Sequence, residues 1–148
     1  MKFKIRKASL EDIQQLGQLF DEYRVFYRQI SHTARSTDFI KQRLLNNEAD
    51  IFIATSEDKA IGFVQLYKLF HYIKLEKQWL LSDLYVQPAH RGKGVSLALI
   101  QRSKEWCIET GACGLMLETE KTNDISNTLY PRCGFILDQG HNYYHWWK

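Results

Sequence analysis

No apolar run in this 148-residue chain is long enough to cross a bilayer, so no membrane association is expected. The opening Met1-Lys-Phe-Lys-Ile-Arg6 carries charge but lacks the apolar stretch of a secretory signal. The expectation is a soluble, cytoplasmic protein. Basic residues are not massed either: the net charge is +3, and no helix or loop holds a dense Lys/Arg stripe, so nucleic acid is not an expected partner. The three cysteines, Cys107, Cys113 and Cys133, are odd in number and without metal-ligand spacing, which reads as buried free thiols. The histidines form no ligand cluster. His141 and His145 stand four apart in an aromatic tail that reads as a strand, not as the helix on which such a pair would share a metal, so no metal is expected. Repeats, linkers and low-complexity segments are missing, which leaves one domain over residues 1–148.

A chain of this length can bury a real core, and 45% hydrophobic with 25% charged residues is ordinary for a globular domain. Phe3 and Ile5 alternate with Lys2, Lys4 and Arg6 as in a half-buried strand. Ser9 and Asp12 are placed to cap a helix that carries Ile13, Leu16, Phe20, Tyr23 and Tyr27 at helical spacing. A second helix is expected over roughly Asp38–Asn46. Ile51–Thr55 and Ala60–Leu69 read as a hairpin, and Leu75–Val86 as a long strand ending at Pro88. A helix runs from Gly92 to its stop at Gly111, then a short strand over Gly114–Thr119. A last helix spans about Asn123 to Gly134, and Phe135–Leu137 and Asn142–Trp147 close the chain as strands. The sum is an α/β fold with a mixed sheet of about seven strands and four helices.

The most informative segment joins that long strand to its following helix: Val86-Gln-Pro-Ala-His-Arg91-Gly92-Lys93-Gly94-Val95-Ser96. Unpaired N–H groups at a helix N-terminus bind anions, and glycines let a phosphate approach. The segment therefore reads as a pyrophosphate cradle. It lacks the first Gly and the Ser/Thr of a Walker loop, and Leu97 stands where a dinucleotide fingerprint needs its third Gly. It fits an Arg-x-x-Gly-x-Gly/Ala cradle after a Val-x-Pro strand end, except that Ser96 occupies the last place.

Downstream, Asn123-Asp-Ile-Ser-Asn-Thr-Leu-Tyr130-Pro-Arg-Cys-Gly134-Phe135 resembles the Asn-x-x-Ala-x-x-Leu-Tyr-x-x-x-Gly-Phe signature of the GNAT family of N-acetyltransferases. With both elements in this order, the chain is identified as resembling that family over essentially its whole length. The resemblance implies splayed fourth and fifth strands and acetyl-CoA as co-substrate. The pyrophosphate would lie on Gly92–Ser96, that is Gly92, Lys93, Gly94, Val95 and Ser96, with charge from Arg91 and Lys93. Leu84, Tyr85 and Val86 would offer backbone groups to the pantetheine. Diverting them from the next strand calls for a bulge near Ser82–Leu84.

By the same resemblance Tyr130 is the acid that protonates the leaving thiolate, or else a packed helix tyrosine. Asn123 either bonds the pantetheine or caps its helix. Asp83 is the candidate general base, or a structural acceptor, since Ser82 stands where related enzymes carry Glu. Glu118 and Glu120 are alternatives on the partner strand. The family walls its acceptor with the first two helices, which places Tyr27 and Arg28 there, with Glu118 opposite. Arg24, Arg28, His32 and Arg35 suit a carboxylate-bearing amine, or form a solvated face. The aromatic tail Tyr143–Trp147 closes the site, packs as a strand, or joins a homodimer. Ser96, Pro131 and the Glu missing at Ser82 keep a second class open, a catalytically weak acyl-CoA-binding regulatory module. The acceptor is a small-molecule amine, amino acid-like or polyamine-like, or else a protein.

Overall fold

A computed structural model describes all residues, Met1–Lys148. They form two compact units, Met1–Leu117 and Glu118–Lys148.

The first unit is built on a sheet of five strands in sequential order: β1 (Lys4–Lys7), β2 (Ala49–Ser56), β3 (Lys59–His71), β4 (Glu76–Val86) and β5 (Leu115–Met116). The first four are antiparallel neighbours, and β4 and β5 are parallel. Helices α1 (Ile13–Phe26) and α2 (Thr33–Leu45) cover one face. Their Leu16, Leu19, Phe20 and Ile40 bury against Ile51, Ile53, Phe63 and Tyr85. Side chains alternate along a strand, so Phe52 points the other way. There it meets Trp106 of α3 (Val95–Glu109), ring to ring at 5.6 Å. The Ser9 N–H bonds Asp12 Oδ2 at 2.9 Å, the backbone half of the expected reciprocal cap.

One residue in β4 changes the phase of the sheet. Gln65 pairs with Asp83, but Leu66 pairs with Leu81, so Ser82 is an extra residue. This is the bulge that the family resemblance calls for near Ser82–Leu84. It turns Trp79 and Leu81 toward α3, where Trp79 lies 6.5 Å from Trp106. Asp83 and Tyr85 are left facing α1. The β4–β5 ladder ends at Leu80 opposite Met116, so Ser82–Val86 has no strand on its β5 side. That is the expected splay.

The second unit holds α4 (Asp124–Arg132) and a tail without helix or strand. The sheet thus has five strands, not about seven. Phe135–Leu137 and Asn142–Trp147 form no ladder, and a strand without a partner leaves its backbone groups unsatisfied. Between them Asp138 Oδ1 accepts from the Gly140 N–H at 2.7 Å, and its Oδ2 meets His141 Nδ1 at 2.7 Å. Two bounds also differ from the sequence reading. α2 begins at Thr33, because His32 Nδ1 accepts from the Arg35 N–H at 3.3 Å and caps it early. β5 keeps only two paired residues, because β4 diverges from it. No helix is long and apolar enough to cross a membrane.

Gly17 sets the closeness of α1 and α2. A Cβ there would lie 2.2 Å from Thr37 Oγ1 and 2.8 Å from Thr37 Cα. The backbone contact cannot be relieved by a rotamer change, so the helices must part. Gly17→Ala is expected to destabilise the protein by about 1–3 kcal/mol, read as a lower melting temperature. An unchanged melting temperature would mean that the two helices are free to slide.

Candidate active site

Gln87 and Pro88–His90 carry the chain from β4 into the cradle. Gly92 and Gly94 have φ of 71° and 82°, a left-handed backbone that other residues enter at a cost. At both, a Cβ would meet no protein atom within 4 Å. Crowding inside the chain therefore does not explain these glycines. Backbone conformation and open space above the turn do. Gly94 is the N-cap of α3, no side chain caps that end, and the Gly94 carbonyl accepts the Ala98 N–H at 3.0 Å. The N–H groups of the first helical turn, Val95 and Ser96 among them, have no partner within the helix. They form an anion site with room above it, which fits a pyrophosphate.

The two cations expected to face that anion make local bonds. Arg91 Nε donates to the Val86 carbonyl at 2.8 Å, and its guanidinium lies 5.5 Å from the Tyr85 ring. Lys93 Nζ donates to the Ala89 carbonyl at 2.8 Å. Both side chains thereby brace the loop between β4 and α3. The Val86 carbonyl, expected to serve the pantetheine, already accepts Arg91. Leu84 and Tyr85 pair with Val64 and Phe63 on one side only.

Asp83 is mostly buried on the face covered by α1. Its Oδ2 accepts from Gln65 Nε2 at 2.6 Å. Ser82 and Tyr23 also hydrogen-bond its carboxyl. Burial outweighs these bonds and raises the carboxyl above the ordinary carboxylate range. Tyr67 shares the pocket, and burial, with the Asp83 charge second, pushes its phenol up to about 12. Nearby, Tyr85 Oη donates to Glu22 at 3.4 Å, and Gln87 Nε2 reaches the same carboxylate at 3.2 Å. Burial, then Glu22, raises the Tyr85 phenol as well.

Gln65, Tyr23 and Glu22 were not singled out by sequence. Gln65 had a readable signal: it is the polar residue inside the apolar run Ile61–Leu66, and it is fully buried. Glu22 had none, and Tyr23 was marked by helical spacing as core and by resemblance as part of the acceptor-wall segment, with nothing to join it to Asp83.

The basic segment differs from its sequence reading. Arg24 is committed to Asp21 and the Ser36 hydroxyl, at 3.4 and 3.2 Å. The buried Asp21 also accepts the His32 N–H at 2.8 Å, and the Ser31 and Ser36 hydroxyls. Arg24 and His32 thus hold the α1–α2 connection rather than facing an acceptor. Tyr27 ends α1, 5.0 Å from the Tyr23 ring, and Arg28 follows with φ 68°.

In the second unit Asn123 Oδ1 caps α4 by accepting the Ser126 N–H at 3.1 Å. Its side chain is used as a cap. The Phe135 N–H bonds the Tyr130 carbonyl and the Gly134 N–H bonds the Pro131 carbonyl, both at 3.0 Å, with Gly134 at φ 87°. This is a Schellman stop, and its apolar contact is Tyr130 on Phe135 at 5.6 Å. Tyr130-x-x-x-Gly134-Phe135 is therefore a helix stop that fixes the tyrosine ring. Pro131 sits in that last turn and has no N–H to offer the Asn127 carbonyl one turn back. Glu118 lies in this second unit, before α4.

A carboxyl raised by burial is more stable in the fold when protonated. Its stabilising share is complete below the ordinary aspartate pKa and is lost as pH rises through the raised value. Asp83→Asn keeps an acceptor for Gln65 without the charge. Its stability relative to the parent is expected to increase over that window, reaching on the order of 1 kcal/mol by pH 8, in urea unfolding from pH 4 to 8. A constant difference across that range would show that Asp83 titrates normally.

The acetyltransferase (GNAT) family model matches residues 16–135. An uncharacterized N-acetyltransferase of Bacillus subtilis, YhfO, is 37% identical over 140 residues, spanning 95% of this chain and 94% of its own. A crystal structure of a probable acetyltransferase superposes with a TM-score of 0.91 at 33% identity, covering 97% of this chain and 96% of that one. A streptothricin acetyltransferase of Escherichia coli is 36% identical over 69 residues, 44% of this chain and 40% of its own length. The chain belongs to the acetyltransferase (GNAT) family and is an acyl-CoA-dependent N-acetyltransferase.

Proposed function

We propose that the protein moves the acetyl group of acetyl-CoA to the primary amine of a small molecule, by direct attack in a ternary complex, within one catalytic domain spanning residues 1–148. The observation that carries this is the uncapped α3 N-terminus with open space at Gly92 and Gly94, at the end of the strand that holds Asp83. The cradle holds the pyrophosphate, and the unpaired side of Ser82–Val86 takes the pantetheine. The neutral amine attacks the thioester carbon, so a C–N bond forms and the C–S bond breaks. Asp83 takes the ammonium proton, since a raised carboxyl is a better base near neutral pH. Tyr130, assigned by resemblance, returns a proton to the thiolate.

The carboxylates on the α1 face, Asp83 and Glu22, favour a cationic acceptor. Arg24, one of the cations expected to read a carboxylate, is engaged by Asp21 instead. A polyamine-like or aminated small molecule is thus favoured over an amino acid. The streptothricin acetyltransferase relative supports a small-molecule acceptor, though it matches under half of the chain. Three free thiols suit a reducing compartment and hence the cytoplasm.

Gly94→Glu places a carboxylate where the pyrophosphate is to sit. Calorimetry should show the affinity for coenzyme A falling at least tenfold, while a panel of amines, amino acids and peptides, scored by mass spectrometry, identifies the acceptor of the parent protein. Unchanged coenzyme affinity would displace the cradle. Acetylation of peptides but of no small amine would reverse the acceptor class.

A further inference from the structure

Four of the buried polar side chains, Asp12, Asp21, Ser36 and Ser103, are held by hydrogen bonds. Gln65 is different. It is fully buried, and its Oε1 has no partner. Its neighbours Phe63, Val64 and Leu66 are buried and apolar. An unpaired buried acceptor is costly, and an apolar side chain of similar size would avoid that cost. Core packing therefore does not account for an amide at this position.

The contact across the strands does. Gln65 stands directly opposite Asp83 in the β3–β4 ladder, next to the Ser82 bulge, and its Nε2 donates to Asp83 Oδ2 at 2.6 Å. The end of a glutamine carries a donor and an acceptor and does not titrate. Its N–H serves an ionised carboxylate. After a half-turn of the amide, its oxygen can accept from a carboxylic acid. The other groups around Asp83 come from three elements. Tyr23 on α1 and Ser82 on β4 bond the same carboxyl. Tyr67 on β3 feels its charge, and Arg43 and Glu48 act on Tyr67. Glu22 on α1 is taken by Tyr85 and Gln87.

We propose that Gln65 is a positioning residue of the acetyl transfer, fixing the Asp83 carboxyl from the opposite strand and giving it a hydrogen-bond partner in both protonation states. The proposal rests on the reading of Asp83 as the base. When the ammonium gives up its proton, an N–H bond breaks and an O–H bond forms on Asp83. The Gln65 amide turns, and Oε1 accepts that O–H. Loss of the proton to water restores the carboxylate and the Nε2 bond. Gln65 itself neither gains nor loses a proton.

Gln65→Met keeps the length of the side chain and removes both polar atoms. Loss of a hydrogen bond to the charged form should raise the Asp83 midpoint by about one pH unit, read by carboxyl ¹³C NMR, which needs no acceptor. The low-pH limb of kcat/KM, measured with the fastest acceptor of the amine panel, should move up with it and reach a plateau within threefold of the parent. Gln65→Glu keeps the shape and sets a second carboxyl against Asp83, so the limb should move higher still. It also serves if the methionine variant does not fold. An Asp83 midpoint unmoved in the folded variant, or a rate lowered equally at every pH with the limb in place, would overturn the proposal and leave Gln65 a structural residue. A midpoint that moves while the limb stays would instead remove Asp83 as the base, and the catalytic role of Gln65 with it.

Discussion

The extra residue Ser82 in β4 decides what each half of that strand faces. Without it, Trp79, Leu81 and Asp83 would all share one face. With it, the two apolar side chains pack toward α3 and the carboxyl turns toward α1, against Gln65 and Tyr23. The same strand runs on into the glycine turn that caps α3. A single insertion therefore places a buried acid on the strand that leads into an anion site. Past Leu80, β4 has no paired residue in β5.

Burial and hydrogen bonding act in opposite directions on Asp83, and burial prevails. Gln65 accommodates either protonation state. Its Nε2 donates to the ionised carboxylate, while its Oε1 has no partner. An amide flip would let that oxygen accept from a protonated carboxyl. A base that must gain a proton in each cycle benefits from a neighbour with both capacities. Tyr67, held protonated well above neutral pH, adds no competing charge.

Much of this was readable from residues alone. The Gly92–Gly94 turn and the long β4 have local causes, glycine conformation with an anion-ready helix end and a long run of strand-forming residues, whereas the bulge was expected only from the family resemblance. The early start of α2 had a weak local signal, because His32 is an unusual cap. The polar cluster around Asp83 needed the register of β3 on β4, which joins Gln65 to Asp83 across 18 positions. Arg24 and His32 stayed open between reading a carboxylate and forming a solvated face, because composition cannot show that a buried Asp21 accepts from the Arg24 guanidinium and the His32 N–H. The closing strands failed for a related reason. Their β-propensity is real, but propensity alone does not supply a ladder, and neither segment is paired in one.

The central claim is that Asp83 is the base and that burial sets its pKa. Its carboxyl can be titrated by ¹³C NMR and set beside the low-pH limb of kcat/KM for acetyl transfer. The account predicts that both midpoints coincide above the ordinary carboxylate range, and that the limb disappears in Asp83→Asn. An Asp83 that titrates near 4, with a rate limb elsewhere that survives the substitution, would contradict it.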